Sequence, residues 1–427
     1  MNCNQTLDKL QKGTLDACLC SLYGAEALPA QRARYADAIR AFAARFGDAR
    51  EITLFSVSGR SELSGNHTDH NAGLALAAAV DMDVIAVASP TKTRTVTLLS
   101  AGYGEDVVDL CAFCAPRPDR YACSDALIAG IARGLADAGF SAGGFDAYTT
   151  SCVPKGSGLS SSAAFEILVG TIQNTFYNDG HVGAVKLAQI AKFAENEFFG
   201  KPCGLLDQLT IATGGICALD FADPSAPLVE KIDFDITGAG YALCIVNTGG
   251  NHADLTADYA AVPAEMKKIA KACGAEVLRK VDERALLANF SRLREQAGDR
   301  ALLRAFHFFS ENHRVREQVA ALACGDLDRF FEGVRASGRS SFQYLQNVYS
   351  SANPHEQGLS LALCLAERFL LDKRGACRVH GGGFAGTIQV FTEAKHADAL
   401  CKLMNTAFGE GACTALHIRP QGPTVVE

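Results

Sequence analysis

Residues 154–166 read Pro-Lys-Gly-Ser-Gly-Leu-Ser-Ser-Ser-Ala-Ala-Phe-Glu, and no other stretch constrains the fold as tightly. The pattern over 145–153 predicts a strand, and that over 163–176 predicts a helix. The chain must therefore pass from strand to helix through a turn of small residues. Gly156 and Gly158 let the backbone approach a ligand closely. The first N–H groups of a helix have no internal partner and carry the positive end of its dipole. A glycine-rich turn feeding such a terminus is a phosphate cradle. Here it would offer the main chain of Gly156, Gly158 and Leu159 and the hydroxyls of Ser160, Ser161 and Ser162, with Lys155 as added charge. It is not the P-loop NTPase motif, because Gly-Lys-Ser/Thr does not close it.

Three further segments carry polar residues at turns. Residues 59–73 read Gly-Arg-Ser-Glu-Leu-Ser-Gly-Asn-His-Thr-Asp-His-Asn-Ala-Gly, directly before an apolar run over 74–80. Residues 194–200 read Ala-Glu-Asn-Glu-Phe-Phe-Gly, followed by Cys-Gly-Leu-Leu-Asp-Gln over 203–208. Residues 376–391 read as a strand, a triple glycine behind His380, and a second strand. In this order and spacing the segments resemble the motifs of the GHMP small-molecule kinases, and the first and the 194–208 pair resemble the galactokinase subfamily. The resemblance runs from about residue 35 to 408. It implies an α+β fold of two lobes: an N-terminal mixed α/β lobe and a C-terminal ferredoxin-like split β-α-β lobe, with the active site in the cleft between them. It implies ATP and Mg2+, and phosphorylation of a sugar at its anomeric hydroxyl, with galactose the first choice. Galacturonate or another galacto-configured sugar is the second reading, and a non-catalytic galactose/ATP sensor the third.

Phosphoryl transfer needs positioning, charge stabilisation and a base for the acceptor proton. The resemblance makes Asp207 that base and Arg60 its charged partner, able to hold the carboxylate ionised. It makes Ser162 and Glu195 the magnesium ligands. It assigns the sugar to Arg60, Asn66, His67, Asp69, Gly204, Asp207 and Tyr259. Two positions depart from the subfamily pattern: Glu62 stands where asparagine is usual, and Asn66 where glutamate is usual. If Asn66 takes over the C6 hydroxyl, Asn66→Glu is expected to leave galactose turnover equal or better.

Bulk properties set outer limits. The net charge of −7 excludes an electrostatic nucleic-acid binder, so any phosphate site is a local arrangement. No apolar run reaches bilayer length, and residues 1–12 lack a basic-then-apolar leader, so the expectation is a cytoplasmic protein, monomeric or weakly dimeric, with small-molecule partners. The sixteen cysteines are scattered and read as small core residues. Cys111 and Cys114 form a Cys-x-x-Cys pair, but no second pair or histidine accompanies it. His67, Asp69 and His70 lie too close in one loop to reach a single ion with good geometry. His380-Gly-Gly-Gly resembles an esterase oxyanion loop, but a Gly-x-Ser-x-Gly elbow is missing and the loop lies near the C-terminus.

The predicted organisation is an appended segment over 1–30, a first lobe over 31–230 and a second over 231–427, with a Pro/Gly-rich boundary at 223–240. The first lobe should hold a helix closed by Gly47, strands over 52–57, 84–88, 94–99 and 216–221, a helix capped by Ser124, and a helix over 185–195. The second should hold a strand over 242–246, a helix-rich stretch over 253–371, strands at 376–380 and 387–391, a helix over 396–408 and a strand over 415–418.

Overall fold

The computed structural model describes residues 1–153, 158–250 and 255–427. Three helices open the chain: α1 (Cys3–Gln11), α2 (Asp16–Tyr23) and α3 (Leu28–Phe46). Helix α3 buries Tyr35, Ala38, Ile39 and Phe42 on one face, as their spacing predicts, and Gly47 ends it at φ 92°. The first sheet follows: β1 (Thr53–Ser64), β2 (Leu74–Pro90), β3 (Thr95–Ser100), β4 (Glu105–Asp109), then α4 (Ser124–Asp137), β5 (Phe145–Ser151), α5 (Ser161–Tyr177), α6 (Ala184–Phe193), α7 (Leu206–Thr213), β6 (Ile216–Asp220) and β7 (Leu228–Ile232).

Strand β2 organises this lobe. Sequence reading separates 74–80 from 84–88, but the structure runs them together as 17 residues. The first half of β2 pairs with β6 and the second with β5, while β1 runs along both. The alanines at 77–79 are fully buried, small enough for layers to close on both faces. One face carries the core shared with α4 to α7. The other is covered by α1, α2 and α3, whose Leu19, Leu22 and Phe42 cluster with Leu54, Ile85 and Val87. Residues 1–30 are thus a layer of the first lobe rather than an appendage. Asp83 locks that layer in place: fully buried, it accepts from Arg34 at 2.6 Å and from the hydroxyls of Tyr23 and Ser56.

The second lobe holds β8 (Tyr241–Asn247), β9 (Gly375–His380), β10 (Thr387–Glu393) and β11 (Cys413–Leu416), with α14 (Ala397–Phe408) between the last two. The helices α8 (Thr256–Ala272), α9 (Glu283–Ala288), α10 (Phe290–Ala297), α11 (Asp299–Ala323), α12 (Leu327–Ser340) and α13 (Gly358–Phe369) lie between β8 and β9. The strand order β11-β8-β10-β9, antiparallel throughout, is the ferredoxin-like arrangement expected. Neither lobe is closed in sequence. Strand β7 carries the first sheet past residue 230, and β12 (Thr424–Val425) returns from the second lobe to pair with β1.

Two local expectations change. Ser124 is the first residue of α4 rather than its cap; Cys123 precedes the helix, and Ser124 Oγ donates to Asp106 Oδ2 at 2.7 Å instead. The helix expected over 185–195 stays α-helical to Phe193 and then widens into a π-helical turn over Ala194–Phe198, which turns Glu195 inward. The cysteines also divide. Cys111, Cys114, Cys152, Cys324 and Cys364 are exposed, so the core reading holds for only part of the set.

Candidate active site

Arg60 and Glu62 project from one face of β1, because the pairing with β2 is regular from Arg60 to Glu62. The Arg60 N–H donates to the Leu159 carbonyl at 3.1 Å, which ties β1 to the end of the phosphate loop. The guanidinium reaches Asp207 near the start of α7. Nε and Nη2 both lie against Oδ1, at 2.7 and 2.6 Å, and Nη1 donates to the Gly158 carbonyl. The other oxygen of Asp207, Oδ2, accepts the Ser160 hydroxyl. Burial works to raise the Asp207 carboxyl, but Arg60 and Ser160 outweigh it and hold it below the ordinary aspartate value. Asp207 is therefore an ionised carboxylate with one oxygen clamped and the other held by a single exchangeable hydroxyl.

The phosphate-loop residues are only partly in view. Gly156 and Lys155 lie outside the described residues. Ser160 precedes α5 in the left-handed conformation, φ 60°. Sequence reading gives it to a phosphate, whereas the structure turns its hydroxyl to Asp207. Ser161 opens α5. Ser162, one residue on, donates to Glu195 Oε1 at 3.1 Å. Glu195 is 2% exposed, and its partners are Lys201 Nζ at 2.8 Å and Gln208 Nε2 at 2.9 Å. Gln208 also reaches Glu166, whose carboxyl is pushed up by burial and by the charge of Glu195.

A cavity of about 150 Å3 opens beside Asp207, lined among others by Arg60, Glu62, Asn66, His67, Asp69 and Gly204. Gly204 leaves room for Asp69: a Cβ there would lie 1.8 Å from Oδ2 and force that carboxylate to move. His67, at φ 58°, places Nε2 2.9 Å from the Gly382 carbonyl, and burial lowers its pKa to about 4, so the ring is neutral. Among the described residues the cluster with ligand spacing is Cys244, Cys401 and Cys413, in the second lobe. Tyr259 is not among the residues lining the cavity. Its hydroxyl donates to the Gly383 carbonyl at 2.8 Å, and its ring stands behind Gly382. His380 likewise has a structural post. Its Nε2 accepts the Glu62 N–H at 3.2 Å, which leaves the ring proton on Nδ1, 3.1 Å from Thr387 Oγ1.

Asn66, on the cavity wall, is hydrogen-bonded within the protein. Its two amide protons go to Glu62 Oε1 at 2.8 Å and to the Gly381 carbonyl at 2.7 Å, and its oxygen accepts from Asn347 at 2.7 Å. The amide is 1% exposed, and both of its protons are taken within the protein.

Several supports of this pocket carry no motif. Glu311 of α11 accepts the Gly65 N–H at 2.9 Å and the Ser337 hydroxyl at 3.0 Å. Burial opposes its charge, yet Arg314 and these donors hold its carboxyl down to about 2. His307 contacts the Asn66 carbonyl through Nε2 at 3.0 Å. Arg378, fully buried on β9, reaches Glu62 at 3.1 Å and the Leu63 carbonyl at 3.2 Å. The sequence around these three residues does not say what they hold, since their partners in residues 62–66 lie more than two hundred positions away.

Comparison with known proteins agrees with this geometry. Residues 126–215 match the GHMP kinases N terminal domain, and residues 40–90 match the galactokinase galactose-binding signature. The galactokinase of Streptomyces coelicolor is 32% identical over 369 residues, 86% of this chain and 91% of the relative. The chain belongs to the galactokinase family. Human galactokinase is 30% identical over 92% of this chain and 96% of its own length. The Lactococcus lactis galactokinase solved with galactose superimposes with a TM-score of 0.76 over 90% of this chain and 98% of its own, at 24% identity. A mevalonate kinase at 15% identity and a TM-score of 0.60 shares the fold.

Galactokinases are phosphotransferases that work with ATP, and the donor set here suits the magnesium that accompanies it. Ser162 Oγ and Glu195 Oε1 are hard oxygens 3.1 Å apart at the start of α5. Glu195 Oε1 is met as well by the cation of Lys201, at 2.8 Å.

Proposed function

We propose that this chain transfers the γ-phosphoryl group of ATP to the anomeric hydroxyl of galactose. The observation that carries the reading is the Arg60–Asp207 pair, set between the phosphate-loop helix and the small polar cavity. The acceptor hydroxyl would replace Ser160 at Asp207 Oδ2 and pass its proton there as the sugar oxygen bonds to phosphorus and the bond to the ADP oxygen breaks. A carboxylate is a weak base for a sugar hydroxyl, so this transfer comes late, after the new bond has begun to form. Arg60 keeps Oδ1 fixed and Asp207 ionised until then. Ser162 and Glu195 would hold magnesium, which when bound neutralises phosphate charge. Asp69 and His67 would meet ring hydroxyls. The test is ADP release from ATP by the purified protein with a panel of monosaccharides. Galactose should be turned over, and Asp207→Asn should lower kcat by about a thousandfold or more while ATP affinity changes little. No ADP release with galactose would refute the reading, and near-normal turnover in Asp207→Asn would remove Asp207 from the base role.

A further inference from the structure

Glu62 is a carboxylate with one oxygen in use and one to spare. Its Oε1 takes Asn66 Nδ2 at 2.8 Å and Arg378 Nη2 at 3.1 Å. Its Oε2 accepts from no described residue, yet it is not sealed from solvent, and Glu62 lines the sugar cavity. Glu62 thus lines the cavity with an oxygen to which no described residue donates. The side chain is charged for a structural reason. Arg378 is fully buried, a guanidinium does not lose its proton, and Glu62 is the carboxylate paired with it.

Position along β1 says which part of a sugar Glu62 can meet. Arg60 marks the reacting end through Asp207. Glu62 stands two residues further on the same face, about 7 Å away by strand rise. That is roughly the span of a hexose ring, so Glu62 faces the edge of the sugar away from the anomeric carbon. Asp69, with Oδ2 against Gly204, stands on another wall and is left for ring hydroxyls.

Resting on galactose as the substrate, we infer that Glu62 reads the C6 hydroxyl and that Asn66 and Arg378 are positioning residues that aim its carboxylate. The usual asparagine and glutamate of the subfamily have changed places here, and the two side chains remain hydrogen-bonded, so the pocket keeps one carboxylate and one amide. A fixed carboxylate beside C6 accepts from a hydroxyl, gains nothing from a methyl and repels a second carboxylate. The site therefore selects a neutral sugar with a free C6 hydroxyl, and the galacturonate reading is disfavoured.

The experiment is steady-state ADP release at saturating ATP, with galactose, 6-deoxygalactose and galacturonate. The proteins are wild type, Glu62→Gln, Asn66→Glu and the double variant Glu62→Asn/Asn66→Glu, each checked by thermal melting. Glu62→Gln keeps an acceptor for Arg378. It should raise the galactose KM by about 10- to 100-fold, mainly in KM rather than kcat, and change 6-deoxygalactose little. Wild type should prefer galactose over 6-deoxygalactose by a similar factor and should not turn over galacturonate. Asn66→Glu places two carboxylates side by side and should weaken galactose at least as much, reversing the expectation from sequence. The double variant should regain most of the loss. A folded Glu62→Gln with wild-type galactose KM would overturn the inference, and so would equal losses on galactose and 6-deoxygalactose. A double variant no better than either single variant would overturn it too. If wild type itself ignores galactose, the function proposed above fails, and this inference fails with it.

Discussion

Arg60→Gln separates the two jobs assigned to Arg60, holding Asp207 ionised and stabilising charge in transfer. In the wild type two guanidinium nitrogens lie 2.6 and 2.7 Å from Oδ1, and the Asp207 side chain is 33% exposed. A guanidinium at such range favours the carboxylate over the carboxylic acid, and the partial exposure of the pair tempers that effect. Burial pushes the other way and remains after the substitution, with Ser160 and Lys201 the residual opposition. The sign follows from the base role. Asp207 works only when ionised, so wild-type kcat should hold until the pH falls below the ordinary aspartate range and the carboxylate protonates. In Arg60→Gln the acid limb should move to higher pH, while the plateau falls about 100- to 1,000-fold from lost charge stabilisation. Stability gives an independent reading. A carboxylate whose folded value is depressed stabilises the fold above its unfolded value, and that contribution is lost as pH falls through the folded value. Arg60→Gln removes the depression, so its melting temperature should fall relative to wild type at pH 7 and converge with it toward pH 3. The assay is kcat from ADP release between pH 4 and 9, with melting over a range extended to pH 3. A plateau loss with an unmoved acid limb would refute the argument that Arg60 sets the protonation state of Asp207.

Ser162→Ala should raise the magnesium concentration needed for half-maximal rate several-fold and lower kcat, read from a magnesium titration at fixed ATP; an unchanged requirement would move the ion elsewhere. Gly158→Ala tests a contact that sequence reading assigns to phosphate. Gly158 has φ 71°, and a Cβ would lie 2.7 Å from Thr387 Oγ1 and 2.8 Å from His380 Nδ1, so the added carbon meets the second lobe. The loss should appear as about 1–2 kcal/mol of stability and a raised sugar KM as well as weaker ATP binding, and loss of ATP affinity alone would restore the phosphate explanation. Asp83→Asn leaves Arg34 and the fully buried Arg419 short of their shared carboxylate, and should cost about 3–5 kcal/mol in denaturant unfolding.

What sequence reading captured depended on range. Arg60, Asp69, Gly204 and Asp207 line one cavity, and it was the resemblance to the kinase motifs rather than local spacing that joined their distant segments. The strand order of the second lobe was legible, since strand, loop, strand, helix and strand follow one another closely from β9 to β11. Long-range partners were not. Glu62 was legible as a carboxylate that could compensate for Asn66 in the same pocket, but only folding shows that the two side chains are hydrogen-bonded. Residues 1–30 looked appended because α1 and α2 bury their apolar faces on a sheet that begins at residue 53 and ends, through β12, at residue 425. The single strand β2 looked like two, because Asp81 to Asp83 interrupts the apolar pattern where the strand passes from one partner to another.

The same long-range contacts explain where the charge of this protein is spent. The loop that follows Glu62 belongs to the first lobe, but its anchors come from the second. Glu311 takes the Gly65 N–H, His307 the Asn66 carbonyl, Asn347 the Asn66 side chain, and Arg378 the Glu62 carboxylate. On the other side of the cavity, Arg60 and Asp207 are held from within the first lobe, against Gly158, Leu159 and Ser160. A displacement of the second lobe would therefore carry the sugar-reading wall with it and leave the base and its arginine in place. Substitutions at Glu311 or Arg378 should then act on sugar KM before they act on the protonation of Asp207, so the acid limb of the rate profile should stay where Arg60 sets it.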